Sequence, residues 1–120
     1  MNISGSKDFY CDCDFVFNGK VEVQKEEETE RVLAFRHTKP SYEFHVVIVP
    51  KEHIPNLLNV ENFSLIQEVF QIAQKLIKKY ELDKTNFRII TNGGEYQDSK
   101  YLHFHLISGS SLRISQIFFR

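Results

Sequence analysis

Tryptophan is absent from these 120 residues, cysteine occurs only twice, and there are five glycines and three prolines. Cys11 and Cys13 are too few and too close to build a disulfide framework, and a reducing, cytoplasmic setting is the simplest reading. Neither sign of charge is in excess: 15 basic against 16 acidic residues leave a formal net charge of -1. That excludes a broad electrostatic grip on nucleic acid. No long apolar run is present. The opening Met1-Asn2-Ile3-Ser4-Gly5-Ser6 is short and polar with nothing apolar behind it, so neither a signal peptide nor a membrane span is expected. Repeats and low-complexity stretches are also missing. Residues 1–10 are read as a flexible N-terminus ahead of one domain over residues 11–120. What the chain does have is 42% hydrophobic residues, eleven of them phenylalanine, enough at this length to bury a real core.

The patterning describes a mixed domain of strands and helices. Val21 and Val23 alternate with polar neighbours, and residues 31–36 resume an apolar run through Leu33 and Phe35. Between them Lys25-Glu26-Glu27-Glu28-Thr29-Glu30-Arg31 reads as a solvated hairpin tip, with Glu26 to Glu28 facing water. Residues 44–49, β-branched and ending at Pro50, suit a central strand covered on both sides. His45 interrupts that run, and taken alone it would be a core histidine. Residues 87–91 form another strand, closed by the turn signal Asn92-Gly93-Gly94. Residues 61–80 are the one long helix. Phe63, Ile66, Phe70, Ala73, Ile77 and Tyr80 recur at helical spacing, and Leu65, Val69, Ile72 and Leu76 widen the stripe. The apolar arc covers about half the circumference, more than the ~100° a surface helix needs. One edge can lie on the sheet while the other requires a second surface, either a groove within the monomer or a dimer contact.

The run Tyr101-Leu102-His103-Phe104-His105-Leu106-Ile107 carries the chemistry. In a strand, alternate side chains share a face. Leu102, Phe104 and Leu106 therefore point to one side, and Tyr101, His103 and His105 to the other. The two imidazoles stand roughly 6.6 Å apart along the strand, a spacing that can grip one phosphate from two positions. A neutral imidazole with a lone pair is a nucleophile near neutral pH.

Taken in order, these parts resemble the histidine-triad (HIT) superfamily of nucleotide hydrolases and transferases. Val32-Leu33-Ala34-Phe35 and Pro40 come first. His45-Val46-Val47-Ile48-Val49-Pro50-Lys51-Glu52-His53-Ile54 follows, then the long helix, Asn92-Gly93-Gly94, Gln97 and the histidine strand. The likeness runs from about residue 11 to 109. It implies an α+β, HIT-like domain with an antiparallel sheet of about five strands, one long helix and a short one, pairing as a homodimer. It also implies a nucleotide phosphoramidase or pyrophosphohydrolase. In such an enzyme His103 attacks the α-phosphorus to form a nucleotidyl-histidine that water then releases. His105 and His45 hold the phosphate oxygens, Gln97 lies beside the scissile bond, and Asn92 and His37 approach the ribose. A nucleotide substrate is the expected partner, with neither nucleic acid nor membrane.

Three positions depart from the family pattern. Tyr101 stands at the first triad histidine and cannot carry positive charge. His37 replaces an acid that takes the ribose hydroxyls, and Asp98 replaces a phosphate-contacting serine. Relatives with a structural zinc ligate it through positions that here read Cys11, Asp14, His53 and Tyr101, short of the four ligands a closed site needs. Cys13 does not restore the spacing. No cofactor is therefore expected, and His53 is read as a structural residue at a helix start. Two other classes compete with the hydrolase: a non-catalytic nucleotide-binding module that lost turnover through Tyr101 and Asp98, and a metalloenzyme holding an ion on His45, His103 and His105.

Overall fold

The structure is a computed structural model, and it describes residues 22–97 and 99–112. Residues 1–10, Cys11, Cys13, Asp14, Asp98 and the end of the C-terminal tail lie outside the described residues. Among those described, five strands form one antiparallel sheet: β1 (Lys25–Glu28), β2 (Val32–Arg36), β3 (Tyr42–Pro50), β4 (Arg88–Thr91) and β5 (Phe104–Ser111). The spatial order is β1-β2-β3-β5-β4, which makes β3 central and β4 an edge. The long helix α1 (Phe63–Lys79) packs on one face. The shorter helical pieces among the described residues are three single 3₁₀ turns at Leu57–Asn59, Leu82–Lys84 and Gly94–Tyr96. No helix there is long and apolar enough to cross a membrane.

Local chemistry sets the helix ends. The Asn62 side chain accepts the Ser64 amide at 3.1 Å, satisfying one of the orphan donors at the N-terminus. Lys78 and Lys79 occupy the last turn, where cations oppose the negative end of the helix dipole. His53 precedes the 3₁₀ turn at Leu57–Asn59, which Asn56 caps, and its ring meets that of Tyr101 edge-on, with centroids 4.8 Å apart.

Alternation then divides the side chains between two layers. Val32, Ala34, Val46, Ile48, Leu102, Phe104 and Leu106 join Leu65, Val69, Ile72 and Leu76 of the helix in one core. The opposite face gathers Leu33, Phe35, Val47, Val49 and Tyr101 into a second, smaller cluster. The central strand is thus covered on both sides, and the histidines of β3 and β5 fall on the face away from the helix.

The acidic run is not a solvated tip. Residues 25–28 form a strand, and the Glu26 side chain is only 3% exposed. Its carboxylate accepts the Tyr80 hydroxyl at 2.6 Å and Arg36 Nε at 2.8 Å, with Lys79 at 3.7 Å. The Arg36 guanidinium also lies over the Phe44 ring at 4.5 Å. Burial alone would raise the Glu26 pKa, but the bonds from Tyr80 and Arg36 outweigh it and hold the carboxyl below its ordinary value.

Candidate active site

Three strands bring four imidazoles together. His45 pairs with Ile107 and His105 with Val47 in the β3–β5 ladder, so the two rings are diagonal neighbours on one face. His45 Nε2 and His105 Nδ1 are 2.9 Å apart. The His103 and His105 ring centroids are 4.8 Å apart, closer than the ~6.6 Å two-residue rise because the rings lean together. His37, just past the end of β2, lies 4.4 Å from His45 between centroids. All four line a cleft of about 650 Å³, together with Asn92, Tyr96 and Ile107 among others. That volume lies within the range of small-molecule sites.

Hydrogen bonds fix where each ring carries its proton. The Ser41 amide donates to His45 Nδ1 at 3.0 Å, so that nitrogen presents a lone pair. Burial, and secondarily the neighbouring His37 and His103, push the His45 pKa down to about 4. The ring is neutral at pH 7 and its proton must sit on Nε2, donating to His105 Nδ1. Burial, followed by the other three histidines, pushes His105 down to about 3. Also neutral, it carries its proton on Nε2, a donor for the cleft it lines. His103 differs: its Nδ1 lies 2.7 Å from the Tyr101 carbonyl, which can only accept. That bond keeps a proton on Nδ1, so in the neutral ring the lone pair falls on Nε2. His37 Nδ1 accepts the Lys39 amide at 2.9 Å, placing the proton of the neutral ring on Nε2.

The same tautomers test the cluster as a metal centre. Nitrogens of His37, His45 and His105 lie within 4.8 Å of one another, a spacing an ion could bridge. A neutral imidazole binds metal through a nitrogen without a proton. Two of these three rings have spent that nitrogen on a backbone amide. The trio of His45, His103 and His105 fails likewise, because His45 Nε2 carries a proton. As hydrogen-bonded here, His37 and His45 each have Nδ1 committed to a backbone amide, so an ion on this cluster would need those bonds exchanged or the Nε2 protons released.

Asn92 lines the cleft, and Gly94 beside it has φ +61°, a conformation that favours glycine. Gln97 is placed differently: its side-chain amide donates to the Pro55 carbonyl at 2.6 Å, and it does not line the cleft. Tyr101 is 4% exposed and its hydroxyl donates to the Lys51 carbonyl at 2.8 Å. The change at the first triad position therefore lies beneath the site, not in it. Sequence reasoning missed Ser41, whose contribution is a backbone amide, and Tyr96, which is 83% exposed at the cleft. An aromatic within a glycine-rich loop was the only available signal for the latter.

Comparisons with known proteins agree with this fold. The family model described as HIT domain matches residues 19–112. An uncharacterized HIT-like protein of Buchnera aphidicola subsp. Acyrthosiphon pisum is 33% identical over 90 residues, 72% of this chain and 79% of that protein. The adenosine 5'-monophosphoramidase of Candida albicans is 29% identical over 100 residues, 77% of this chain and 65% of that protein. Among solved structures, a histidine triad protein from Clostridium difficile superposes with a TM-score of 0.74 at 32% identity, covering 83% of this chain and 90% of that one. Sheet order, the histidine strand and these matches together establish that the chain belongs to the HIT family.

Proposed function

We propose that the protein is a nucleotide hydrolase that cleaves at the α-phosphate of a nucleoside phosphoramidate, dinucleoside polyphosphate or similar conjugate through a nucleotidyl-histidine intermediate. The observation that carries this reading is the complementary tautomers of neighbouring rings. His103 presents a lone pair on Nε2 and His105 presents an N–H on Nε2. In-line attack by His103 Nε2 on phosphorus forms a P–N bond as the leaving group departs with the electron pair of its own bond. His105 Nε2–H donates to the phosphate oxygen on which negative charge builds, in a cleft whose dipoles are already oriented. Water then displaces His103, releasing the nucleoside monophosphate. His45 acts through His105, and Asn92 and His37 flank the nucleoside; His37 offers a ribose oxygen a donor rather than the acceptor an acid would supply. The phosphoramidase named in Candida albicans supports this class of substrate.

Tyr101 does not argue for the binding-only alternative. The first triad residue supplies the carbonyl that holds His103 Nδ1, and any residue has one. Mixing the enzyme with a radiolabelled nucleoside phosphoramidate and quenching at once should trap label on His103, and His103→Ala should trap none and turn over nothing. Turnover retained in that variant overturns the assignment. Excess chelator should leave the rate unchanged.

We further propose a homodimer. Phe70, Ile77, Phe87 and Ile89 line an apolar groove between α1 and the edge strand β4, and Phe70 and Phe87 are nearly half exposed. An edge strand flanked by apolar surface is suited to pairing with a second copy. Phe70→Glu should convert a dimer to monomer in sedimentation analysis, and a wild-type monomer refutes the reading. A cytoplasmic location belongs to the same proposal.

A further inference from the structure

The cleft does not end at the histidines. A second hollow of about 100 Å³ is lined by Asn86, Phe87, Arg88 and Ser108 and shares Tyr42 and Ile107 with the histidine cleft. That is room enough for a carboxylate or phosphate group. Strand register places Arg88 here. Arg88 pairs with Ile107 and Ile90 with His105, so Arg88, Ile90 and Asn92 share a face with the histidines. Arg88 is one two-residue step, ~6.8 Å, along the ladder from the residue opposite His105.

Two donors, both on exposed residues, line this hollow. Arg31 is committed to Glu68 and Arg36 to Glu26, whereas the Arg88 side chain has no ion pair or hydrogen bond among the described residues. Asn86 is held in one orientation: its Oδ1 accepts the Gly109 amide at 2.8 Å, with the Ser108 hydroxyl at 3.1 Å. Its Nδ2 hydrogens are left as donors at the wall of the hollow. Glu43, the acid packed against Gly109, turns its carboxylate to the Ser110 amide at 3.0 Å and makes no ion pair with Arg88.

We propose that Arg88 and Asn86 form a subsite for an anionic group carried by the leaving group of the substrate. A β-phosphate of a polyphosphate chain and the carboxylate of an amino acid joined through its nitrogen share that chemistry: charged oxygens a few bonds beyond the scissile bond. A guanidinium meets either with charge-assisted hydrogen bonds. The proposal rests on the reading of His103 as nucleophile at the α-phosphorus, and it names which conjugates that site prefers.

The test compares kcat/KM for four nucleotides with the full-length enzyme: the simple phosphoramidate, an amino-acid phosphoramidate, the same compound with its carboxylate capped as a carboxamide, and a dinucleoside triphosphate. Wild type should favour the free carboxylate over the carboxamide, or the triphosphate over the simple phosphoramidate, and the favoured arm identifies the source of the anion. Arg88→Ala should lower that preference ratio by ~10-fold or more, and Arg88→Lys should restore part of it. Wild type indifferent to leaving-group charge, or a ratio unchanged in Arg88→Ala, overturns the subsite. Wild type that turns over none of the four overturns the hydrolase reading itself, so the two failures are told apart.

Discussion

Replacing His45 with phenylalanine tests the hydrogen-bond chain while keeping a planar ring on β3. The change removes two bonds at once, the 3.0 Å bond from the Ser41 amide and the 2.9 Å bond to His105. The first loss is structural: a partly buried amide donor left without its acceptor costs ~1–3 kcal/mol. The second is catalytic. His105 Nδ1 no longer receives a proton donor, and the bias toward the Nε2–H tautomer shrinks by the worth of one neutral hydrogen bond, ~1 kcal/mol. A difference of that size corresponds to ~5-fold in rate, or ~10-fold near 1.4 kcal/mol. The expected result is therefore a fall in kcat of about one order of magnitude with KM little changed, against complete loss for His103→Ala. Nitrogen-15 NMR of the free protein gives a readout independent of turnover: His105 should appear as the Nε2–H tautomer in wild type and as a mixture in His45→Phe. A wild-type His105 protonated on Nδ1, or a variant with full kcat, refutes the reasoning.

Three other outcomes follow from the same coordinates. His45 and His105 have pKa values well below that of an unfolded histidine, at about 4 and about 3, so on acidification the unfolded chain takes up protons first. Their contribution to stability is present above pH ~6.5 and drains away as pH falls toward the folded values. Urea midpoints should drop between pH 6.5 and 4.5, above the range where Glu26, Glu28 and Glu68 add their own losses, and a flat profile in that window contradicts the assigned protonation. Gly109→Ala should cost ~1–3 kcal/mol in denaturant unfolding: its φ is +84° and a Cβ there would fall 2.4 Å from Glu43 Oε1. Adding Glu43→Ala should recover only the part due to the clash. Gln97→Ala should lower kcat/KM less than tenfold, because Gln97 stands outside the cleft and loses one hydrogen bond to Pro55, and a larger fall would mean that its side chain reaches the substrate.

Much of the fold was legible because alternation and helical period are properties of the chain itself. The two-sided burial of Val46 to Val49 follows from an unbroken β-branched run, and the shared face of His103 and His105 from alternation; the order of strands around β3 follows from neither. Glu26 was not legible. In Lys25-Glu26-Glu27-Glu28 every position looks solvated, and what buries this one carboxylate is Arg36 and Tyr80, which are 10 and 54 residues away in the chain. The exposed half of the helix stripe, Phe63 and Phe70, was visible as an arc too wide for one contact, though the sequence does not say what would cover it.

The site shows a sharper version of the same boundary. The identity of its histidines could be read from the sequence, and their protonation could not, because the groups that decide it are main-chain atoms. The Ser41 and Lys39 amides face ring nitrogens that must accept, while the Tyr101 carbonyl faces one that must donate. Any residue at 101 supplies that carbonyl, and any at 39 or 41 except proline, which has no amide proton, supplies the amides, so no pattern of side chains announces them. That also explains how Tyr101 can stand where the family has histidine without taking a group out of the cleft. The backbone at that position, held by a hydroxyl anchored on Lys51, already makes the contact that fixes the His103 ring, whatever side chain stands there.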